Sequence, residues 1–315
     1  MSQKGKTIVA LTGLAVISIH VINRLQYSHA TSKNILACSE NNYYEWRFGK
    51  IRYTKKGNGT PILLLHDLTV GSSNYEFHSI INSLSKDHEV YAIDFLGYGL
   101  SDRPNMTFTN FLYVQLISDF IKNVIGKRTD IIATGDAAPV SIMACHNDFD
   151  LINKMIFINP TGLFDLNKIP SKRTKALKLL FDSPIIGTLL YNHLTSKTAI
   201  EKTFREEYFY DSYKIQEKDI LSYVEAAHTS DYNSKFSFTS HVAHYMNCNI
   251  IHALKEINNS IYIIGGKEKD NIETTVDNYI YYNSSIESDY IEKTKHLPHL
   301  ERPEEVIKLL ELYLN

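Results

Sequence analysis

Residues 131–141 read IIATGDAAPVS. The β-branched Ile131 and Ile132 close a short apolar run of the kind that forms a buried strand. Small residues follow at once, and SIMACHN (141–147) then reads as a helix. Where a strand, a tight turn and a helix follow one another like this, the sharpest point of the turn can display a nucleophile. Three registers are open. The ungapped one puts Gly135 at the apex, flanked by Ala133 and Ala137, with Pro139 four residues on. A shift of one puts Asp136 there, between Thr134 and Ala138, and a shift of two puts Ala137 there, between Gly135 and Pro139. No register supplies Ser or Cys, and Ser141 lies too far into the helix. An elbow residue normally holds a strained backbone for the sake of its side chain. Glycine takes a positive φ without steric cost, so Gly135 suits an apex emptied of its nucleophile. Asp136 would then follow the apex and aim its N–H at an oxyanion pocket. Asp136 is also the one residue of the three able to act as a conventional nucleophile.

The flanking sequence has a strand–helix rhythm. WRFGKIRYTKKG (46–57) alternates like an edge hairpin, and PILLLHD (61–67) and HEVYAIDF (88–95) are apolar enough for buried strands. Residues 73–87 and 109–126 read as helices, the second with Leu112, Leu116, Phe120 and Val124 on one stripe. TDIIATG (129–135) and KMIFINP (154–160) continue the strands. From 161 the chain becomes polar, Tyr-rich and helix-patterned, broken by Pro170 and Pro184. The rhythm returns with SIYIIGG (260–266), a helix over 272–283, ESDYIEK (287–293) and a last helix after Pro303. This order predicts an α/β fold, a mostly parallel doubly wound sheet with a helical lid inserted between two strands. The expected division is core over 40–160, lid over 161–257 and core again over 258–315.

Four stretches in order resemble the α/β-hydrolase family, in its lidded branch of haloperoxidase-like esterases, haloalkane dehalogenases and epoxide hydrolases. PILLLHDLTVGSS resembles the oxyanion loop. AIDFLGYGLSDRP resembles D-x-x-G-x-G-x-S-x-x-P, through Asp94, Gly97, Gly99, Ser101 and Pro104. YIIGGKEKD resembles the acid loop, and HLPHLERPEEV resembles H-x-x-x-x-E-x-P, through His296, Glu301 and Pro303. The resemblance implies a nucleophile, an acid and a histidine in that chain order. It makes His296 the base, with His299 badly spaced as a competitor. It makes Glu268 the acid, with Asp270 second because the double glycine blurs the register. Leu68 and Asp136 would donate the oxyanion-hole N–H groups. One departure stands out: Asp67 occupies a position where the family has glycine. A carboxylate turned toward the hole would oppose a developing negative charge by about 4 kcal/mol at ~4 Å and an effective dielectric of ~20.

The N-terminal run TIVALTGLAVISIHVI (7–22), preceded by Lys4 and Lys6 and followed by Arg24, suggests an uncleaved single-pass membrane anchor over residues 1–25. His20 reads as a passenger at the interface. The flanking charges, with Lys33 on the far side, are too balanced to orient it. Net charge is −2 in 315 residues, which argues against nucleic-acid binding. Cys38, Cys145 and Cys248 have no metal-ligand or disulfide spacing, so no metal and no cofactor are expected. Three functions fit the residues. The first is a membrane-anchored hydrolase-fold protein whose serine chemistry is lost or altered, holding a small apolar ligand or a partner. The second is an active hydrolase using Asp136 with His296 and Glu268 through an ester intermediate. The third uses His296 as a general base without a nucleophile.

Overall fold

The apolar runs become the inner strands of one eight-stranded sheet. The computed structural model describes residues 3–37 and 41–314, without the side chains of 5–12, 15 and 231; Cys38 lies outside the described residues. The strands are β1 (Asn42–Trp46), β2 (Gly49–Lys56), β3 (Thr60–Leu65), β4 (His88–Ile93), β5 (Thr129–Thr134), β6 (Ile152–Ile158), β7 (Ile261–Gly266) and β8 (Glu287–Ile291). Their spatial order is β1-β2-β4-β3-β5-β6-β7-β8. The β1–β2 hairpin and the β2–β4 pair are antiparallel, and every other pair is parallel. The longer helices are α1 (Gln3–Ala30), α2 (Asn110–Phe120), α3 (Ala137–Asn147), α4 (Lys172–Asp182), α5 (Ile186–Leu194), α6 (Glu217–His228), α7 (Lys235–Val242), α8 (Ile272–Tyr282) and α9 (Pro303–Leu314).

The central strands are continuously apolar because both faces of the sheet are covered. Leu63, Leu65, Ile131, Ala133, Phe157 and Ile263 pack on one side with residues of α2 and α3. Their neighbours Ile62, Leu64, Ile132, Ile156, Ile158 and Ile264 pack on the other with Val306, Leu310 and Tyr313 of α9. The period-two alternation between the two cores fixes each register, since a one-residue slip would exchange both faces. The parallel strands β3, β5, β6 and β7 deliver their carboxyl ends to one edge. In an open α/β sheet that edge is where ligands bind.

Two expectations need correction. Residues 73–87 do not form one helix. A 3-10 turn (Asn74–Phe77) and a single helical turn (Ile81–Leu84) replace it. Polar side chains turned inward hold the first of these. The Asn74 N–H donates to Asp94 Oδ1 at 2.7 Å, Asn74 Nδ2 donates to the Ala92 carbonyl at 3.1 Å, and Glu76 is buried. The membrane anchor over 1–25 is not what the structure presents either. Helix α1 runs on to Ala30, and among the described residues no helix is long and apolar enough to cross a membrane. Its later turns are docked on the helices between β6 and β7. Asn192 Nδ2 donates to Asn23 Oδ1 at 3.0 Å, Gln26 Nε2 donates to the Asn192 carbonyl at 2.7 Å, and Tyr27 Oη donates to the Thr229 carbonyl at 3.4 Å. Asn23, Gln26 and Tyr27, which follow the apolar run, therefore form a docked face. Leu14, Ile17, Val21 and Leu25 lie exposed on another face of the helix.

Between β6 and β7 the described residues form helices and no strand. Pro170 precedes α4, and Pro184 separates α4 from α5. This helical insertion lies on the same edge as the strand ends, as its contacts with the loops below establish.

Candidate active site

Strand β5 ends at Thr134, and α3 begins at Ala137. Gly135 has φ +50° and Asp136 caps the helix with φ −73°, so within 134–137 the left-handed residue is Gly135. The Gly135 N–H donates to the Ile158 carbonyl at 3.1 Å, which ties the turn to β6.

The side chain above this turn belongs to Asp67, in the loop after β3. Asp67 Oδ1 accepts the Leu68 N–H at 2.7 Å and the Asp136 N–H at 2.8 Å. Asp67 Oδ2 lies 3.1 Å from His296 Nε2. A Cβ placed on Gly135 would come within 2.3 Å of the Asp67 carboxyl carbon. One carboxylate thus fills the space of an apex side chain, takes both N–H donors expected of an oxyanion hole, and meets the histidine. The loop carrying it is fixed at both flanking carbonyls. His66 Nε2 accepts the Phe95 N–H at 3.0 Å, so its Nδ1 carries the proton and donates to the Asp67 carbonyl at 2.6 Å. Tyr98 Oη donates to the Leu68 carbonyl at 2.6 Å.

His296 stands on the loop after β8, under Tyr208 of the insertion, with ring centroids 4.9 Å apart. Asn159, at the end of β6 with φ +50°, holds this loop in place. Its Nδ2 donates to the carbonyls of Lys295 at 2.8 Å and His296 at 2.9 Å, and its Oδ1 accepts the Gly266 N–H at 2.9 Å. Glu301 joins the same loop to the insertion, accepting the N–H groups of Asp211 at 2.7 Å, Tyr210 at 3.1 Å and Lys295 at 3.3 Å. The competitor His299 is fully buried against Glu76, Nε2 to Oε1 3.4 Å. Burial would raise the Glu76 carboxyl, but the bond and charge of His299 outweigh it and hold it below the ordinary carboxylate range. This pair braces the loop from beneath.

Glu268 and Asp270 are both exposed. The side chain between them turns inward: Lys269 Nζ donates to the Asn159 carbonyl at 3.1 Å. Burial lowers the Lys269 ammonium, against the opposing pull of Asp67 and Asp136. Counted from Gly266, the second glycine of the pair, Lys269 stands three residues on. Glu268 and Asp270 stand on the wall of the cleft that His296 also lines.

Asp136 sends its side chain away from His296. Oδ2 pairs with His241 Nε2 of α7 at 2.8 Å, and Oδ1 accepts the Thr161 hydroxyl. Burial works against the charge on both partners. For Asp136 the His241 bond and charge, then Thr161 and Lys269, prevail and lower the carboxyl; for His241 the Asp136 bond and charge prevail and raise the imidazole. Neither His241 nor Thr161 lies in a recognisable motif, so sequence reasoning missed both.

A cleft of about 470 Å³ opens beside His296, lined by Thr69, Tyr208, Lys269 and Lys295 among others, with Glu206 and Glu207 at its wall. Among the described residues, His146, His252 and Glu256 form a surface group of three ligand-type side chains. Glu256 already pairs with both imidazoles, at 2.7 and 3.3 Å.

The Alpha/beta hydrolase family matches residues 62–309. A 2-hydroxy-6-oxo-6-(2'-aminophenyl)hexa-2,4-dienoic acid hydrolase of Metapseudomonas resinovorans is 28% identical over 116 residues, 36% of this chain and 39% of its own length. Haloalkane dehalogenase 2 of Mycobacterium tuberculosis is 36% identical over 66 residues, 21% of this chain and 22% of its own. The chain thus spans about two fifths and one fifth of these relatives. Among solved structures, the epoxide hydrolase CorEH has a TM-score of 0.71 at 17% identity, covering 87% of this chain and 98% of its own. A bacterial membrane phospholipase A has 0.68 at 14%, covering 98% of each chain. At these identities the structural likeness establishes the fold alone.

Proposed function

This chain belongs to the alpha/beta hydrolase family, and from that premise we propose that it is a small-molecule hydrolase that has abandoned serine-type acyl transfer. One observation carries the reading: the Asp67 carboxylate takes both N–H groups that would stabilise a substrate oxyanion. A substrate carbonyl entering the site would find no free donor. Loss of a single oxyanion donor costs about 10²–10³ in rate, and here two are engaged. The apex residue is Gly135, which has no side chain to attack with. His296 keeps its place and opens on a charged cleft, which suits a small polar molecule. The insertion acts as a lid, through Tyr208 over His296 and His241 on Asp136.

The experiment is incubation with a fluorophosphonate and with short p-nitrophenyl esters. No labelling is expected, and no ester turnover sensitive to His296→Ala. Stoichiometric labelling of a serine would overturn the reading.

We further propose that α1 seats the protein on a membrane. Leu14, Ile17, Val21 and Leu25 recur at helical spacing and are exposed. The likeness to the membrane phospholipase A takes in 98% of the chain, against 87% for the epoxide hydrolase, and so extends into this helix. Flotation with phosphatidylglycerol-containing vesicles tests this. The full chain should float, and the chain with all four residues changed to Ser should not; equal partitioning would refute it.

A further inference from the structure

We propose that His146, His252 and Glu256 form a site for a zinc ion that clasps the elbow helix to the helix leading into β7. The inference stands apart from the reading of the hydrolase site and begins at the other end of α3. That helix runs from the elbow to Asn147 and carries His146 in its last turn. The short helix Ile251–Glu256 closes the insertion and packs against α3. Its His252 and Glu256 are four residues apart and so share one face.

The three side chains meet at one carboxylate. Nε2 of His146 lies 2.7 Å from Glu256 Oε2, and Nε2 of His252 lies 3.3 Å from Glu256 Oε1. The two imidazoles stand edge to face with ring centroids 5.7 Å apart, and the ligand atoms of all three residues lie within 4.8 Å of one another. Around a tetrahedral zinc ion with bonds of about 2 Å, ligand atoms stand about 3.3 Å apart. The cluster is already near that size, and His252, with 79% of its side chain exposed, has room to swing inward. A simple ion pair needs one imidazole. Here the carboxylate spreads its two oxygens over two rings, and among the described residues no Lys or Arg forms an ion pair with it.

The donor set selects the ion. Two imidazole nitrogens and one carboxylate suit zinc, whereas calcium and magnesium favour oxygen donors. Each ring binds through the Nε2 lone pair, with its own proton on Nδ1. Three protein ligands leave a fourth position for water. A cavity of about 310 Å³ opens beside Glu256, lined by Arg128, Asp150, Asn258 and Asn259 among others, and gives that water room. The site lies one length of α3 from the elbow, about 16 Å at ~1.5 Å per residue, so the ion does not touch the groups around His296. Its work is structural. It fixes the far end of the helix whose cap presents the Asp136 N–H, and joins that helix to the chain as it returns from the insertion to β7. Cysteine spacing gives no hint of this site, because its ligands are imidazoles from helices far apart in sequence.

The test uses the full chain, freed of metal with EDTA and then dialysed. Calorimetric titration with ZnCl₂ should show zinc binding that CaCl₂ does not displace, and the thermal midpoint should rise with zinc concentration. Footprinting with diethyl pyrocarbonate, read by mass spectrometry, locates the ion. His146 and His252 should be shielded when zinc is present, while the exposed His193 is modified as before. His252→Gln should weaken zinc binding by more than about 100-fold, beyond the loss of an outer-shell partner, and His193→Gln should leave it unchanged. Because footprinting reads the unaltered protein, misfolding of a variant cannot mimic failure. No zinc binding, an unmoved midpoint, displacement by calcium, shielding of other histidines in place of these two, or full affinity in His252→Gln would each overturn the proposal. None of these outcomes bears on fluorophosphonate labelling, so the reading of the hydrolase site stands or falls separately.

Discussion

Asp67 and Asp136 are bonded to each other, the Asp136 N–H donating to the Asp67 carboxylate at 2.8 Å, yet they serve different halves of the molecule. Asp67 follows β3, meets His296 and belongs to the core. Asp136 follows the elbow, meets His241 and belongs to the junction with the insertion. By position in the chain, Asp136 is the better candidate for chemistry, since it lies next to the apex. By geometry it is not, because its side chain is engaged with Thr161 and His241. Which carboxylate reaches the histidine depends on where the backbone of the turn points each Cβ. At Gly135 the Cβ direction is vacant, and the neighbouring loop fills it.

The largest expected effect separates the two residues by rate. Asp67 occupies both oxyanion donors and meets His296, so Asp67→Asn should change turnover of a small-molecule substrate by at least about 100-fold, the scale of such a donor. Asp136→Asn should lower it less than about tenfold. Steady-state rates on the two variants check this, and the reverse order would exchange the roles assigned to them. Stability should rank the other way. Asp136→Ala leaves the partly buried His241 without its partner and should cost roughly 1–2 kcal/mol in urea unfolding.

The smallest effect is in pH. The His241 pKa is raised from its ordinary 6.5, so its contribution is complete below that value and lost as pH rises through the raised one. The Asp136 pKa is lowered from 3.8, so its contribution is complete above that value and lost as pH falls through the lowered one. The stability difference between the natural chain and His241→Gln should therefore be flat between these two ordinary values and shrink on the alkaline side. Because the imidazole is partly exposed, the change should be no more than about 1 kcal/mol. A difference that stayed constant to high pH would remove the ion pair from the account.

Much of the fold was legible because its signals are local. Apolar runs of strand length, broken by small residues, are enough to order a parallel sheet whose faces are both covered. The left-handed Gly135 was legible too, since a residue without a Cβ at a sharp turn has a physical reason to be there. Asp67 was visible as a departure at a glycine position, but its direction was not. That direction depends on the Phe95 N–H that fixes His66, on Tyr98 and on the vacancy over Gly135, each brought from a segment distant in sequence. Lys269 was hidden by the double glycine at 265–266, which leaves two ways to count into the loop. Asn159, His241 and Thr161 carry no pattern of their own; each matters through what folding brings beside it. The segment 73–87 does not form the helix its sequence suggests because Asn74 and Glu76 are buried and bonded inward.

The account turns on Asp67 standing in for a missing apex side chain, and a paired substitution tests that directly. Gly135→Ser alone should not react with a fluorophosphonate, because the new Cβ meets the Asp67 carboxylate at 2.3 Å and the oxyanion donors remain taken. Gly135→Ser combined with Asp67→Gly clears the space and frees both donors, and should label at Ser on residue 135. The rate would still be slow, because Glu268 and Asp270 are exposed and a triad without a bonded acid loses about 10⁴-fold. Labelling of the single variant as fast as the double, or a well-folded double variant that stays unlabelled, would contradict the account.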